Sequence, residues 1–159
     1  MKILVVSDTH GAVFESIAEQ IKKEKSIDLM IHCGDKFKDA NKLAAMIGIE
    51  NYYNVVGNCD YDISGEPNML DLKIEGKHVL VTHGHLQNVK DSLDDLQILA
   101  EAMNADIVLF GHTHISHDEL INNTHYFNPG STILPKNGKA SYGIVEISDG
   151  IIKTRIVQL

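Results

Sequence analysis

The sequence has no apolar run approaching the ~20 residues that a membrane-crossing helix needs, which argues against any span of a bilayer. Its first apolar stretch, residues 3–6, is too short for the hydrophobic region of a secretory signal and has no small-residue cleavage site after it, so a soluble, untargeted protein is expected. Basic residues are scarce: 14 Lys and Arg stand against 22 Asp and Glu, a formal charge of −8. Proteins that bind nucleic acid or anionic membrane nonspecifically need a basic face to release counterions, so long nucleic acid and membrane surfaces are disfavoured as partners. Only two cysteines occur, Cys33 and Cys59, with no CxxC pair. That supplies neither a zinc ribbon nor a disulfide framework, and it fits a reducing, cytoplasmic location. What is present is an ordinary globular composition, 43% hydrophobic and 23% charged, which excludes a disordered chain. At 159 residues, without internal repeat or linker, one domain spanning residues 1–159 is expected.

Residues 2–7 form a near-continuous apolar, β-branched run, the pattern of a strand buried on both faces of a parallel sheet. Val13, Ile17 and Ile21 recur every four residues with Phe14 and Ala18 beside them, which predicts an amphipathic helix over 12–23. A strand over 28–33, a helix marked by Ala40, Leu43, Ala44 and Ile47, and a strand over 52–56 complete a βαβαβ half with right-handed crossovers. Residues 57–68 are polar and turn-rich and predict a long loop over the strand ends. Strands over 69–74 and 78–82 pair as a hairpin around Gly76, Leu93, Leu96, Ala100 and Met103 mark a third helix, and 106–110 is another buried strand. The strands over 116–121, 124–128, 142–147 and 151–157 are expected to add to the first sheet in antiparallel fashion. The fold class is α/β.

Five of these strands end in polar clusters: Asp8-Thr9-His10, Gly34-Asp35, Gly57-Asn58, Thr82-His83-Gly84-His85 and Gly111-His112-Thr113-His114. In an open α/β sheet, ligands bind in the crevice beyond the carboxyl ends of the strands, so these residues are expected to converge. Carboxylates, imidazoles and a side-chain amide oxygen together suit a borderline divalent cation. Residues two apart, as in Asp8/His10 and His112/His114, can be presented together by one strand end. Taken singly, Asp8 is a turn or helix-capping residue, Gly57-Asn58 a turn, and each histidine a satisfied polar residue; the metal reading rests on the whole set.

In that order and at those strand ends, Asp-x-His, Gly-Asp, Gly-Asn-x-Asp, Thr-His-Gly-His and Gly-His-x-His resemble the calcineurin-like metallophosphoesterases. The short chain, with Gly57-Asn58-Cys59-Asp60 and Asn128-Pro129-Gly130-Ser131, is similar to their small bacterial and archaeal phosphodiesterase branch, which is related to a retromer subunit. The resemblance implies a four-layer α-β-β-α sandwich with mixed sheets. It also implies that Asp8, His10, Asp35 and His114 hold one divalent ion and that Asp35, Asn58, His83 and His112 hold a second, with Asp35 bridging. Two such ions outweigh two carboxylates and a bridging hydroxide, leaving net positive charge for a monoanionic diester, which that hydroxide would attack in line. Manganese or nickel is expected, with iron, cobalt or zinc also suited; magnesium prefers oxygen ligands, and four of these seven are imidazoles.

Many members of the family carry His where Cys59 stands, and that His is tied to transition-state or leaving-group stabilisation. A thiol is a weak donor, which favours substrates with good leaving groups; Cys59 and, as a partial substitute for the missing imidazole, His85 are the candidate catalytic groups. The expected function is a dinuclear phosphodiesterase acting on a small phosphodiester. Two alternatives stay open: the same fold as a protein-interaction scaffold, and a phosphomonoesterase or nucleotidase. Self-association is a general expectation for soluble enzymes. Of the other polar residues, His32 is expected to be a hydrogen-bonded core histidine, Cys33 a small buried hydrophobe, Asp60 a loop anchor, and His78, His117 and His125 surface or structural residues.

Overall fold

The computed structural model describes residues 1–61 and 63–159; Asp62, inside the expected 57–68 loop, lies outside the described residues. Strand β1 (Lys2–Val6) alternates its side chains between two apolar environments, and this alternation builds the layers. Ile3 and Val5 face a core shared with Val79, Val81, Ile107, Leu109 and Phe127, whereas Leu4 and Val6 pack with Ile17, Ile21, Leu43 and Ala44 of two helices. A strand buried on both faces therefore reads as an unbroken apolar run.

The helices on that outer face are α1 (Glu15–Ile21) and α2 (Phe37–Ile47), which alternate with β2 (Leu29–His32) and β3 (Tyr52–Asn54). Beyond them come β4 (Met69–Ile74), β5 (Lys77–Thr82), a 3-10 turn (His85–Gln87), α3 (Asp94–Ala102) and β6 (Ile107–Leu109). The chain closes with β7 (His117–Ile121), β8 (Thr124–Asn128), β9 (Ser141–Ser148) and β10 (Ile151–Gln158). One five-stranded sheet has the order β10-β9-β1-β2-β3 and the other β4-β5-β6-β8-β7. Both are mixed: β1, β2 and β3 run parallel, β9 and β10 antiparallel to their neighbours, and in the second sheet β5, β6 and β8 are parallel. Helix α3 covers the outer face of the second sheet through Leu96 and Ala100, packed with Leu80, Val108 and Phe110. The result is the expected four-layer α-β-β-α sandwich.

Two expectations are corrected. Only β9 and β10 join the first sheet; β7 and β8 complete the second, and β8 pairs parallel to β6 with Val108 opposite Tyr126. Period-two alternation fixes which face of a strand is apolar but names no partner, and here Phe127, fully buried between the sheets, sets the choice. Burial of such a side chain is worth about 1.5–3 kcal/mol. Helix α1 is shorter than 12–23, because the residues after β1 are drawn into a turn closed by Ala12 N–H on the Thr9 carbonyl. Phe14, extended at the helix N-cap, is 55% exposed and does not join the core. No helix among the described residues is long and apolar enough to cross a membrane.

Candidate metal centre

The parallel strands β1, β2, β5 and β6 all end on one rim, and each is followed by a residue that the sequence marks as a ligand. Asp8, His10, Asp35 and His114 place one ligand atom each within 4.8 Å of one another. Within that group, His114 Nε2 lies 3.2 Å from Asp8 Oδ1 and 3.0 Å from His10 Nε2, and His10 Nε2 lies 3.6 Å from Asp35 Oδ2. The other Asp35 oxygen faces a second group: Oδ1 is 3.3 Å from His83 Nε2, which is 3.2 Å from Asn58 Oδ1. His112 stands over His83 edge-on, with ring centroids 5.0 Å apart. All seven expected ligands are thus brought together, and the two oxygens of Asp35 address the two halves.

Five of the seven, Asp8, His10, Asp35, His112 and His114, have positive φ of 48–68°. Such left-handed backbone is uncommon for residues with a Cβ and is concentrated at functional sites, where surrounding structure holds it. Here it turns each strand end sharply enough for adjacent residues to face the same point. Two glycines let the loops close: a Cβ at Gly57 would collide with the Asp35 carboxylate and backbone N, and one at Gly111 with Ser7 Oγ and, at 2.8 Å, Asp8 Oδ2.

The hydrogen bonds decide which atoms remain free. Asp8 Oδ2 accepts from Ser7 Oγ at 2.7 Å and from the His112 N–H at 3.0 Å, whereas Oδ1, fully buried, has no hydrogen-bond donor. His83 Nδ1 lies 2.7 Å from the Cys33 carbonyl and His114 Nδ1 2.7 Å from the Leu134 carbonyl. A carbonyl only accepts, so both Nδ1 atoms carry hydrogen and both Nε2 atoms present lone pairs when the rings are neutral. Lone pairs from Asp8 Oδ1, His114 Nε2, His83 Nε2, Asn58 Oδ1 and both Asp35 oxygens thus converge without enough donors. Positive charge between them, a proton or a metal ion, relieves that arrangement, and carbonyl-held imidazoles are the usual support for metal ligands.

The ionisation behaviour agrees. Burial pushes the Asp8 carboxyl up, but the close contact with His114, the His83 charge and the Ser7 hydroxyl more than offset it and hold it below the ordinary carboxylate range. Burial likewise raises Asp35, but the adjacent His83 and the Cys59 N–H, which donates to Oδ1 at 2.9 Å, overcome it, so this carboxyl too is held low. Desolvation opposes charge on His83, yet Asp35 and Asp8 leave its affinity for a proton raised; the contact to Asp8 raises His114 in the same way. His112 goes the other way, to about 4, through burial and the His83 charge.

Residues 1–150 match the calcineurin-like phosphoesterase superfamily domain. The chain belongs to that superfamily. It is 35% identical over 156 residues to the probable metallophosphoesterase YsnB of Bacillus subtilis, covering 98% of this chain and 89% of that one. It is 30% identical over 162 residues to the phosphodiesterase MJ0936 of Methanocaldococcus jannaschii, covering 92% and 93%. The fold is also that of wild-type Vps29 complexed with zinc from Entamoeba histolytica, with a TM-score of 0.80 at 22% identity over 99% of both chains.

The supports of this phosphoesterase centre include Asp39, which the sequence did not mark, beside His32 and Asp60 in their expected roles of core histidine and loop anchor. Asp39 on α2 accepts the Thr9 hydroxyl at 2.7 Å and the Gly11 N–H at 2.8 Å. His32 accepts the Gly34 N–H at Nδ1, so its Nε2 carries the hydrogen that meets Thr9 Oγ1 at 3.1 Å. This buried chain ties the β1 loop, with Asp8 and His10, to the β2 loop, with Asp35; burial lowers His32 to about 4 and keeps it neutral. Ser131 Oγ donates to the Asp8 carbonyl at 2.8 Å, and Asn128 Nδ2 to the Gly111 carbonyl at 2.9 Å. Asp60 anchors its loop, accepting from the Lys36, Phe37 and Gly57 N–H groups.

The two candidate catalytic residues sit on the same rim. The His85 ring lies tilted 5.4 Å from His83 and 6.0 Å from His112 between centroids, its Nδ1 buried and unpartnered, and burial with the His83 charge lowers its proton affinity. Burial and the adjacent Asp35 raise the Cys59 thiol, so it is protonated at neutral pH; its Sγ lies 3.5 Å from Asn58 Nδ2. His78 stands beside Asp71 and His117 beside Glu119, on strands of the second sheet.

Proposed function

We propose that this phosphoric ester hydrolase is a phosphodiesterase that works with two divalent ions, in one domain comprising residues 1–159. The observation that carries the reading is Asp35, whose two oxygens face two separate sets of nitrogen and oxygen donors. Asp8, His10, Asp35 and His114 would hold one ion, and Asp35, Asn58, His83 and His112 the other. Manganese, nickel, iron, cobalt and zinc all suit this mixture of imidazole and oxygen ligands. Such ions, when bound, neutralise phosphoryl oxygens and lower the pKa of water so that hydroxide is available near neutral pH for in-line attack.

The chain's own residues supply the rest. The Cys33 and Leu134 carbonyls hold His83 and His114 in the tautomer that exposes Nε2. Ser7 and the His112 N–H occupy one Asp8 oxygen and leave the other directed into the centre. His85, neutral at physiological pH, is positioned to contact the substrate but offers no imidazolium. Cys59 can give only a weak S–H hydrogen bond to a departing oxygen. With no strong acid at hand, esters whose alcohol leaves readily are the expected substrates.

The test is hydrolysis of a chromogenic aryl phosphodiester by chelator-stripped protein, with and without manganese or nickel, beside an Asp35→Asn variant. Turnover that returns with metal and is absent from the variant is expected. No turnover in protein that binds metal stoichiometrically would sink the reading in favour of an interaction scaffold on the same fold.

A further inference from the structure

A cavity of about 400 Å³ opens between the segment that follows β6 and the segment that precedes α3. Val89, Leu93, Phe110 and Ile115 make it apolar, and Lys90 and Lys136 stand at its edge. It adjoins the metal centre through the backbone: Thr113, which lines it, lies between His112 and His114, and the Lys136 N–H donates to the His114 carbonyl at 3.0 Å. Both lysines are exposed. Among the described residues neither ammonium is in an ion pair; those formed by lysine involve Lys2 and Lys77.

We propose that this cavity seats one ester group of the substrate, and that the group it takes carries an apolar ring and a second anionic group. The inference rests on the phosphodiesterase reading above and names the substrate class for that site. A diester bound with its phosphoryl group at the metal centre must direct its two ester groups away from it. The apolar walls favour a ring over an extended polar chain, because a ring removes more apolar surface from water. At the cavity Lys90 and Lys136 offer two cations outside any ion pair among the described residues, which an additional phosphate would meet. In the reaction water adds across one P–O bond: its oxygen joins phosphorus, the P–O bond to one alcohol breaks, and that alcohol leaves with a proton. The ester group in the cavity stays attached and departs as the phosphomonoester.

Three p-nitrophenyl phosphodiesters with the same leaving group test this: the methyl ester, the ester of the thymidine 5′-hydroxyl, and that thymidine ester bearing a 3′-phosphate. The expected kcat/KM rises along the series, by tenfold or more at the last step, and the Lys90→Glu/Lys136→Glu double variant abolishes that last step. A Lys22→Glu/Lys42→Glu double variant, with the same charge change on the α1 and α2 side, keeps it. Equal kcat/KM for the three diesters, or a last step that survives in the Lys90/Lys136 variant, overturns the cavity assignment and leaves the hydrolase reading standing. Should none of the three be hydrolysed with manganese present, the hydrolase reading fails and titration calorimetry with thymidine 3′,5′-bisphosphate judges the cavity alone. Binding that the Lys90/Lys136 variant loses supports the assignment; absent or unchanged binding overturns it.

Discussion

The His83 ring is pinned by the Cys33 carbonyl, 2.7 Å from Nδ1 and 50 residues away in sequence, so that Nε2 faces Asp35 and Asn58. A proton and the proposed metal ion would therefore compete for the same lone pair, and the same would hold at His114, whose Nδ1 is held by Leu134.

That competition predicts how pH acts on metal-free protein. Folded-state affinities for a proton are raised at His83 and His114, so their contribution is complete below the ordinary histidine value of about 6.5 and is lost as pH rises through the folded values. His32 and His112, lowered to about 4, contribute fully above 6.5 and lose that contribution as pH falls toward 4. Asp8 and Asp35, held low, add stability above the ordinary carboxylate value that disappears in stronger acid. Thermal unfolding in chelator should show a maximum near pH 6.5, and the gain in Tm on adding manganese should grow from pH 6 to pH 8. A metal-induced gain that shrinks over that interval would contradict the ligand assignment.

The chain of hydrogen bonds through His32, Thr9 and Asp39 ties together the two loops that carry the proposed ligands. Asp39→Ala leaves the Thr9 hydroxyl and the Gly11 N–H without their acceptor, at a cost of about 1–3 kcal/mol in stability. It should also weaken metal affinity by roughly 10–100-fold, the range seen when outer supports of a metal site are removed. Metal titration of the folded variant below its Tm measures this, and wild-type affinity would mean that the chain only stabilises the fold.

Two glycine substitutions separate crowding from conformation. Gly57→Ala places a methyl group on the Asp35 carboxylate and should lose both metal binding and turnover. At Gly11, with φ of +83° and no atom within 4 Å of an added Cβ, alanine should cost about 1–2 kcal/mol in stability through backbone strain while metal binding persists. Equal metal affinities in the two variants would refute the close approach of Gly57 to Asp35.

Cys59→His should raise kcat most for diesters with poor, alkyl-type leaving groups and least for aryl esters, because an imidazolium can donate where a protonated thiol donates weakly. Comparison of kcat across a series of leaving-group pKa values is the measurement. An equal gain for all leaving groups would point to altered metal binding instead.

Much of this was decided by sequence alone. Ile3, Val5 and the runs after them declare strands buried on both faces because apolar residues on both sides of a strand have no other use. Residue type at the strand ends points to a candidate site for a borderline divalent ion, since carboxylate, imidazole and amide oxygen together suit one, and the order of the motifs carries the family resemblance. Only the tertiary structure assigned β8 to β6 and left Phe14 in solvent, because pairing partners and helix starts are set by contacts far along the chain. Only the tertiary structure, too, put Asp8, His10, Asp35, His112 and His114 at positive φ, chose the tautomers of His83 and His114, and recruited Ser7, Asp39 and Ser131. Each of these depends on an atom brought near by folding, such as a carbonyl, a hydroxyl or a crowded loop, and local composition carries no record of it.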